Sequence, residues 1–147
     1  MTDGNDKKVK PASIQKIEQA FIAKNWKYKI IDIEPGQVID IAFTTDNLQL
    51  HLAFVGRNAN DFVSVRAFSF IKAVPAEKKL AMLKAFNQLH TRFNFVRFMM
   101  DDDGDIPAAY DFPECEKDIG SAAAEIALRL SNIISDAYPD LMRARWN

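Results

Sequence analysis

The sequence has few of the features that mark a secreted, disulfide-linked or membrane-spanning protein. It contains one cysteine, Cys115, which cannot form a disulfide within the chain. No apolar run approaches the length of roughly 20 residues that a transmembrane helix needs. The polar start of the chain also lacks the apolar core of a signal peptide. We therefore expect a cytoplasmic protein that has no membrane partner.

An excess of charge of one sign is also missing, and so are the common catalytic motifs. Nineteen Lys and Arg residues against twenty Asp and Glu residues give a net charge of -1, which would not attract nucleic acid. With five glycines, the chain contains no phosphate-binding loop and no G-x-S-x-G element. Neither His51 nor His90 has a second metal ligand at the usual spacing. We predict no catalytic residue, metal or cofactor.

Apolar residues, by contrast, are plentiful enough for the core of one domain, at 48% of 147 residues. We predict a disordered tail over residues 1–10 and a single domain over 11–147. The apolar periodicity predicts an α+β fold with an antiparallel sheet. Its order is a helix, a meander of three or four strands, a helix, a β-hairpin and a last helix. That helix is expected from Ser121, with Pro139 ending or bending it and a tail following from Asp140.

Four aspartates surround one glycine in the segment Asp101–Asp105. Aligned as an EF-hand loop, the segment leaves the first and last ligand positions without a carboxylate. A three-residue loop with Gly104 in a left-handed conformation pairs Phe98 with Ala108 and aligns the apolar faces of the two strands. We therefore predict a hairpin turn rather than a calcium site.

Two predicted strands carry a face that mixes large apolar side chains with arginines. Arginine and aromatic residues are enriched at protein interfaces, so this face is a candidate partner surface. The alternative is that helices cover both faces of the sheet, and periodicity does not decide which face they cover. The candidate partner-binding residues are Arg66, Phe68, Phe70, Phe95, Arg97 and Met99, with Leu128 as an isolated candidate on the last helix.

Two other kinds of site are consistent with parts of the sequence. A small-ligand sensor or an enzyme would need a pocket between helix and sheet near Asn87, His90 and Arg97. The aromatic spacing of Arg92–Phe98 is similar to that of an RNA-binding strand, but Arg92 and Asn94 stand where small residues would let bases stack. A protein partner is the leading hypothesis.

The segment from Leu83 to Ile134 resembles the YbjN-domain family. The resemblance rests on a helix end, a strand, an acidic turn, a strand ending before proline, and a closing helix. These features are Asn87-Gln88-Leu89-His90, Phe95–Asp101, Asp103-Gly104, Tyr110-Asp111-Phe112-Pro113 and Ser121 onward.

This resemblance implies a fold like that of type III secretion chaperones, a homodimer, and a bacterial role in sensory transduction. It implies no catalytic residue. We therefore expect a non-catalytic bacterial interaction module that binds another protein in a regulatory or chaperone-like role.

Overall fold

A computed structural model describes residues 11–33, 36–56, 62–113 and 117–147. The tail predicted over residues 1–10 and the single cysteine, Cys115, lie outside these residues. The described elements are α1 (Ala12–Ala23), β1 (Lys29–Ile33), β2 (Gly36–Thr44), β3 (Gln49–Gly56), β4 (Phe62–Ile71), α2 (Lys79–Arg92, after a 3-10 turn at Ala76–Lys78), β5 (Arg97–Phe98), β6 (Ile106–Ala109), β7 (Phe112–Pro113) and α3 (Ile119–Trp146). The predicted α+β class is confirmed, and the meander has four strands.

All strand pairs in the sheet are antiparallel, and the strand order is β1-β2-β3-β4-β6-β5. The short strand β7 pairs with the start of β4. It continues the register of β6, because Arg66 lies opposite Ala109 and Val63 lies opposite Phe112. The second strand of the predicted β-hairpin therefore runs alongside β4 as two short pieces, β6 and β7.

The helices pack on one face of the sheet, here called the inner face. Buried residues of α1, α2 and α3 share one apolar cluster with alternate residues of the central strands. Those strand residues are Ile39, Ile41, Leu50, Leu52, Phe54, Val63, Val65, Ala67 and Ile106. The question left open by periodicity is thus answered, because the face of Val63, Val65 and Ala67 is the covered one.

A β-bulge near the end of β4 changes the direction of one candidate residue. The register with β6 shifts between Ala67 and Ile71, and Ser69 has a φ of 44°. Beyond the bulge, Phe70 packs against the core with its ring centroid 6.3 Å from that of Phe98. The prediction that Phe70 shares a face with Arg66 is therefore wrong.

Helix α3 begins at a capping aspartate. The Asp118 carboxylate accepts hydrogen bonds from the Ser121 N–H at 3.0 Å and from its hydroxyl at 2.9 Å. These bonds, the backbone one first, hold the pKa of Asp118 below its usual range. The cap therefore satisfies one of the free N–H groups of the first turn.

The same helix continues through Pro139 to Trp146, so the prediction of a tail from Asp140 is wrong. Proline has no N–H to donate to the carbonyl of Ser135, four residues earlier. The Asn47 side chain donates to that carbonyl instead, at 2.7 Å. Beyond the proline, Leu141 is fully buried in the core. Burial of this residue and the bond from Asn47 offset the missing helical hydrogen bond.

A double-mutant cycle tests this link between Asn47 and Pro139. Asn47→Ala is expected to lower the free energy of unfolding by about 1 kcal/mol, because the Ser135 carbonyl loses its donor. In a Pro139→Ala background the restored backbone N–H bonds to Ser135, so the same change should cost little. Urea unfolding of the four proteins measures both costs. Equal costs of Asn47→Ala in the wild-type and Pro139→Ala backgrounds would show that the Asn47 bond does not compensate for Pro139.

Candidate functional site: the outer face of the sheet

The face opposite the helices, here called the outer face, is formed by the residues that alternate with the core positions. No described helix packs on it, since the buried residues of the three helices belong to the inner-face cluster. The cross-strand registers align these residues in rows across the sheet. One row contains Lys29, Asp40, Ala53, Arg66, Ala109 and Arg97, and the next contains Ile31, Val38, Val55 and Ser64.

Two arginines in the first row share one carboxylate. Arg66 and Arg97 lie on either side of Ala109, whose small side chain leaves space between them. Asp111 accepts a hydrogen bond from Arg66 Nη1 on Oδ1 and one from Arg97 Nη2 on Oδ2, the latter at 3.0 Å. Two cations against one anion leave a net positive charge here. Arg97 is more than half exposed and uses one of its nitrogens in this pair, so it can donate to a further acceptor.

Two aromatic residues that are close to these arginines in sequence are exposed to solvent. Phe68, two residues after Arg66, is 63% exposed, and Phe95, two residues before Arg97, is 75% exposed. Met99, which follows Arg97 at the same interval, is half-buried. The prediction that Phe95 belongs to a strand is wrong, because β5 begins at Arg97 and Phe95 has a φ of 68°. Aromatic residues, methionine and arginine are enriched at protein interfaces, so these residues stay candidates for partner binding.

The remaining candidates lie elsewhere. Leu128 is 46% exposed on α3, in the helical layer on the other side of the sheet. Phe70 belongs to the core, as described above. The structure therefore joins Arg66 and Arg97 through Asp111, and Phe68 and Met99 each follow one of these arginines by two residues. The ring of Phe95 lies 6.0 Å from that of the core residue Tyr110. Leu128 and Phe70 are separated from the arginine pair.

The residues proposed to line a ligand pocket between α2 and the sheet do not face one another. His90 Nε2 accepts the backbone N–H of Phe98 at 2.9 Å, so the neutral ring carries its proton on Nδ1. The imidazole stacks on the Phe98 ring, with their centroids 6.0 Å apart. The Phe86 ring also stacks on that of Phe98, at a centroid distance of 6.2 Å. These rings occupy the space between α2 and β5. Arg97 points to the outer face, and Asn87 is exposed on α2.

The acidic segment forms the predicted hairpin. Phe98 lies opposite Ala108, Asp101 N–H donates to the Asp105 carbonyl at 2.9 Å, and Gly104 has a φ of 80°. Two of the carboxylates accept backbone hydrogen bonds, since Asp101 binds the N–H groups of residues 103 and 105, and Asp105 binds that of Ala73. Within residues 11–33, 36–56, 62–113 and 117–147, no group of three or more His, Cys, Asp or Glu residues is placed to hold a metal ion.

At the β1 end, the outer face has a shallow depression of about 230 Å³. Within it, His51 Nδ1 lies 3.3 Å from the Asp40 carboxylate. Tyr28 also lines the depression, but its phenol lies on the helical side, where it donates to Glu18 of α1 at 2.8 Å and its ring is 6.3 Å from that of Phe21. Burial raises the pKa of this phenol, and the hydrogen bond to Glu18 adds to the effect. The phenol therefore stays protonated and acts as a donor rather than as a base.

Comparison with models of known protein families gave no match, and comparison with curated protein sequences gave none either. Among the described helices, none combines the length and the apolar character required to cross a bilayer.

Proposed function

We propose that this chain is a non-catalytic bacterial interaction module, cytoplasmic and homodimeric, which binds another protein in a regulatory or chaperone-like role. One observation carries the proposal: Arg66 and Arg97 share Asp111 on a sheet face that no described helix covers, and Phe68, two residues after Arg66, is 63% exposed. The resemblance of Leu83–Ile134 to the YbjN-domain family, which implies a fold like that of type III secretion chaperones, supports the same role.

The chemistry of the outer face favours a partner segment that carries a carboxylate next to apolar side chains. Burial of the exposed rings of Phe68 and Phe95 by a partner is favourable, because it removes apolar surface from water. Arg97 offers free donors to a carboxylate, which is the acceptor that a guanidinium binds best. Aromatic and arginine residues together are the usual energetic centre of a protein interface.

Replacement of Phe68 by Glu tests the proposal, because it puts a charge where the partner would bury a ring. We expect Phe68→Glu and Arg97→Glu each to weaken partner binding by about tenfold or more. Leu128→Glu is the matched control, since it adds the same charge at an exposed apolar position on the other side of the molecule. Partners captured from the native host by the wild type would be purified and titrated against each variant. Unchanged affinity for folded Phe68→Glu would contradict the proposal.

A further inference from the structure

The connection between α2 and β5 is short and contains a strained residue. It consists of residues 93–96, and Phe95 within it has a φ of 68°. A bulky residue adopts this left-handed conformation at a cost, so it persists only where neighbouring contacts hold it. Phe95 itself is 75% exposed and supplies little of that hold. The contacts therefore come from the residues that follow, of which Val96 and Phe98 are buried.

A hydrogen bond joins β5 to the last turn of α2. Met99 N–H donates to the Pro107 carbonyl at 3.2 Å, so in the antiparallel pair of β5 with β6 the N–H of Phe98 points away from β6. His90 accepts that N–H on Nε2 at 2.9 Å. Among the described residues, this is the one hydrogen bond between α2 and β5. It fixes the position of β5 three residues after the strained Phe95.

This hydrogen bond requires a neutral imidazole. When Nε2 is the acceptor the ring proton is on Nδ1, and a second proton turns both nitrogens into donors. The hydrogen on Nε2 would then point at the Phe98 N–H, which is also a donor. A rotation of the ring by half a turn about its Cβ–Cγ bond would put a carbon atom in the place of Nε2. The protonated ring therefore cannot keep the bond in either orientation.

The charges around His90 do not compensate for such a proton. On α2, Arg92 is a cation two residues away, and it pairs with Asp140 of α3 at 3.8 Å. On β5, Arg97 is a second cation, which pairs with Asp111 on the outer face. Strand β6, on the far side of β5, has no charged residue. Within the described ranges, no carboxylate forms an ion pair with His90.

We propose that His90 is an acid-sensitive switch, whose neutral ring holds β5 and the strained turn at Phe95 and whose protonation releases them. A histidine ring ordinarily takes up its proton at about pH 6.5. The bond is therefore present above this range and is lost as the pH falls through it. Because Arg97 and Phe95 are candidate partner contacts, the switch regulates the partner surface. This consequence alone rests on the proposed function.

Release of the bond changes one end of the outer face. Without it, β5 keeps only its pairing with β6, and Phe95 is free to leave the left-handed conformation. Arg97 lies between Phe95 and Phe98 in the chain, so it loses its fixed position beside Asp111. Arg66 keeps its own position, because it lies within the long strand β4. Acid therefore weakens the part of the partner surface that β5 contributes and leaves the rest in place.

Amide hydrogen exchange of Phe98 in the free protein, followed by NMR from about pH 8 to about pH 5, tests the switch. We expect the protection factor of Phe98 to fall by about fivefold as the His90 ring is protonated, because the amide loses its acceptor. The backbone chemical shifts of Phe95 should change with the same midpoint. Protection of Phe98 that does not change with protonation of His90 would overturn the proposal.

Three variants assign the effect to His90. The side-chain oxygen of Gln is as many bonds from Cα as Nε2 is, and it accepts an N–H without titrating. His90→Gln should therefore keep Phe98 protected across the whole pH range, whereas His90→Leu has no acceptor and should show the low protection throughout. His51→Gln removes the other histidine and should leave the transition unchanged. A transition that persists in His90→Gln, or that is lost in His51→Gln, would contradict the assignment to His90.

Failure of this inference and failure of the proposed function give different results. All of these measurements use the free protein, so unchanged protection of Phe98 refutes the switch and leaves the partner surface in place. Unchanged partner affinity of folded Phe68→Glu refutes the surface and leaves the switch.

Discussion

Leu141→Ala is expected to lower the free energy of unfolding by about 2–5 kcal/mol, the usual cost of emptying a buried leucine site. Leu141 is fully buried in the core, although it lies beyond Pro139, where the sequence predicts a tail. In a tail the same substitution would cost almost nothing. The size of the loss therefore reports whether the end of α3 is part of the cooperative fold.

The matched control for this prediction lies on the same helix. Leu128 is exposed, so Leu128→Ala removes the same atoms without leaving a cavity and should cost less than about 1 kcal/mol. Urea unfolding followed by circular dichroism measures both variants, and similar m-values would show that the unfolded states are comparable. Equal costs for Leu141→Ala and Leu128→Ala would mean that the last turns of α3 do not pack as described.

The end of α3 shows what local sequence could and could not predict. Its apolar stripe reaches Ala137, and Leu141 continues it at a helical interval of four residues. That signal was present, but the low helix propensity of Pro139 outweighed it in the prediction. The compensating donor, Asn47, lies 88 residues before Ser135, whose carbonyl accepts its hydrogen bond. No local pattern reveals such a bond, because it depends on how the β2–β3 turn meets the helix.

The outer face was predictable where strand alternation held. Alternation placed Arg66 and Arg97 on one face, and the structure joins both to Asp111. It failed at Phe70, because the bulge at Ser69 changes the side on which the following residue lies. Serine carries no strong signal for a positive φ, so this bulge could not be read from the sequence.

Asp111 is the residue of the site that sequence reasoning missed. The predicted pairing of Phe98 with Ala108 already places Asp111 on the same face as Arg97, so the contact between these two residues could have been predicted. The contact of Asp111 with Arg66 could not have been predicted, because it requires β6 to pair with β4, from which α2 separates it along the chain. Local spacing fixes a hairpin register, but it does not choose the neighbouring strand.

Gly104→Ala is expected to cost about 2–4 kcal/mol, for two separate reasons. Gly104 has a φ of 80°, a left-handed conformation that an L-residue adopts at a cost of about 1–2 kcal/mol. A Cβ there would also lie 2.6 Å from the backbone oxygen of Val74, and forced overpacking costs about 1–3 kcal/mol. The Gly104 carbonyl accepts the Val74 N–H at 2.9 Å, so a shift of the hairpin also weakens its contact with the segment leading to α2.

Two further variants separate these causes. Asn tolerates the left-handed conformation but has a Cβ, so Gly104→Asn should recover part of the cost and keep the part due to Val74. Asp102→Ala in the same turn is the control and should stay within about 0.5 kcal/mol, because the side chain is exposed. Equal, small costs for Gly104→Ala and Asp102→Ala would refute the close approach. If Gly104→Asn instead restores full stability, the conformation alone requires glycine, and the hairpin moves away from Val74 without loss.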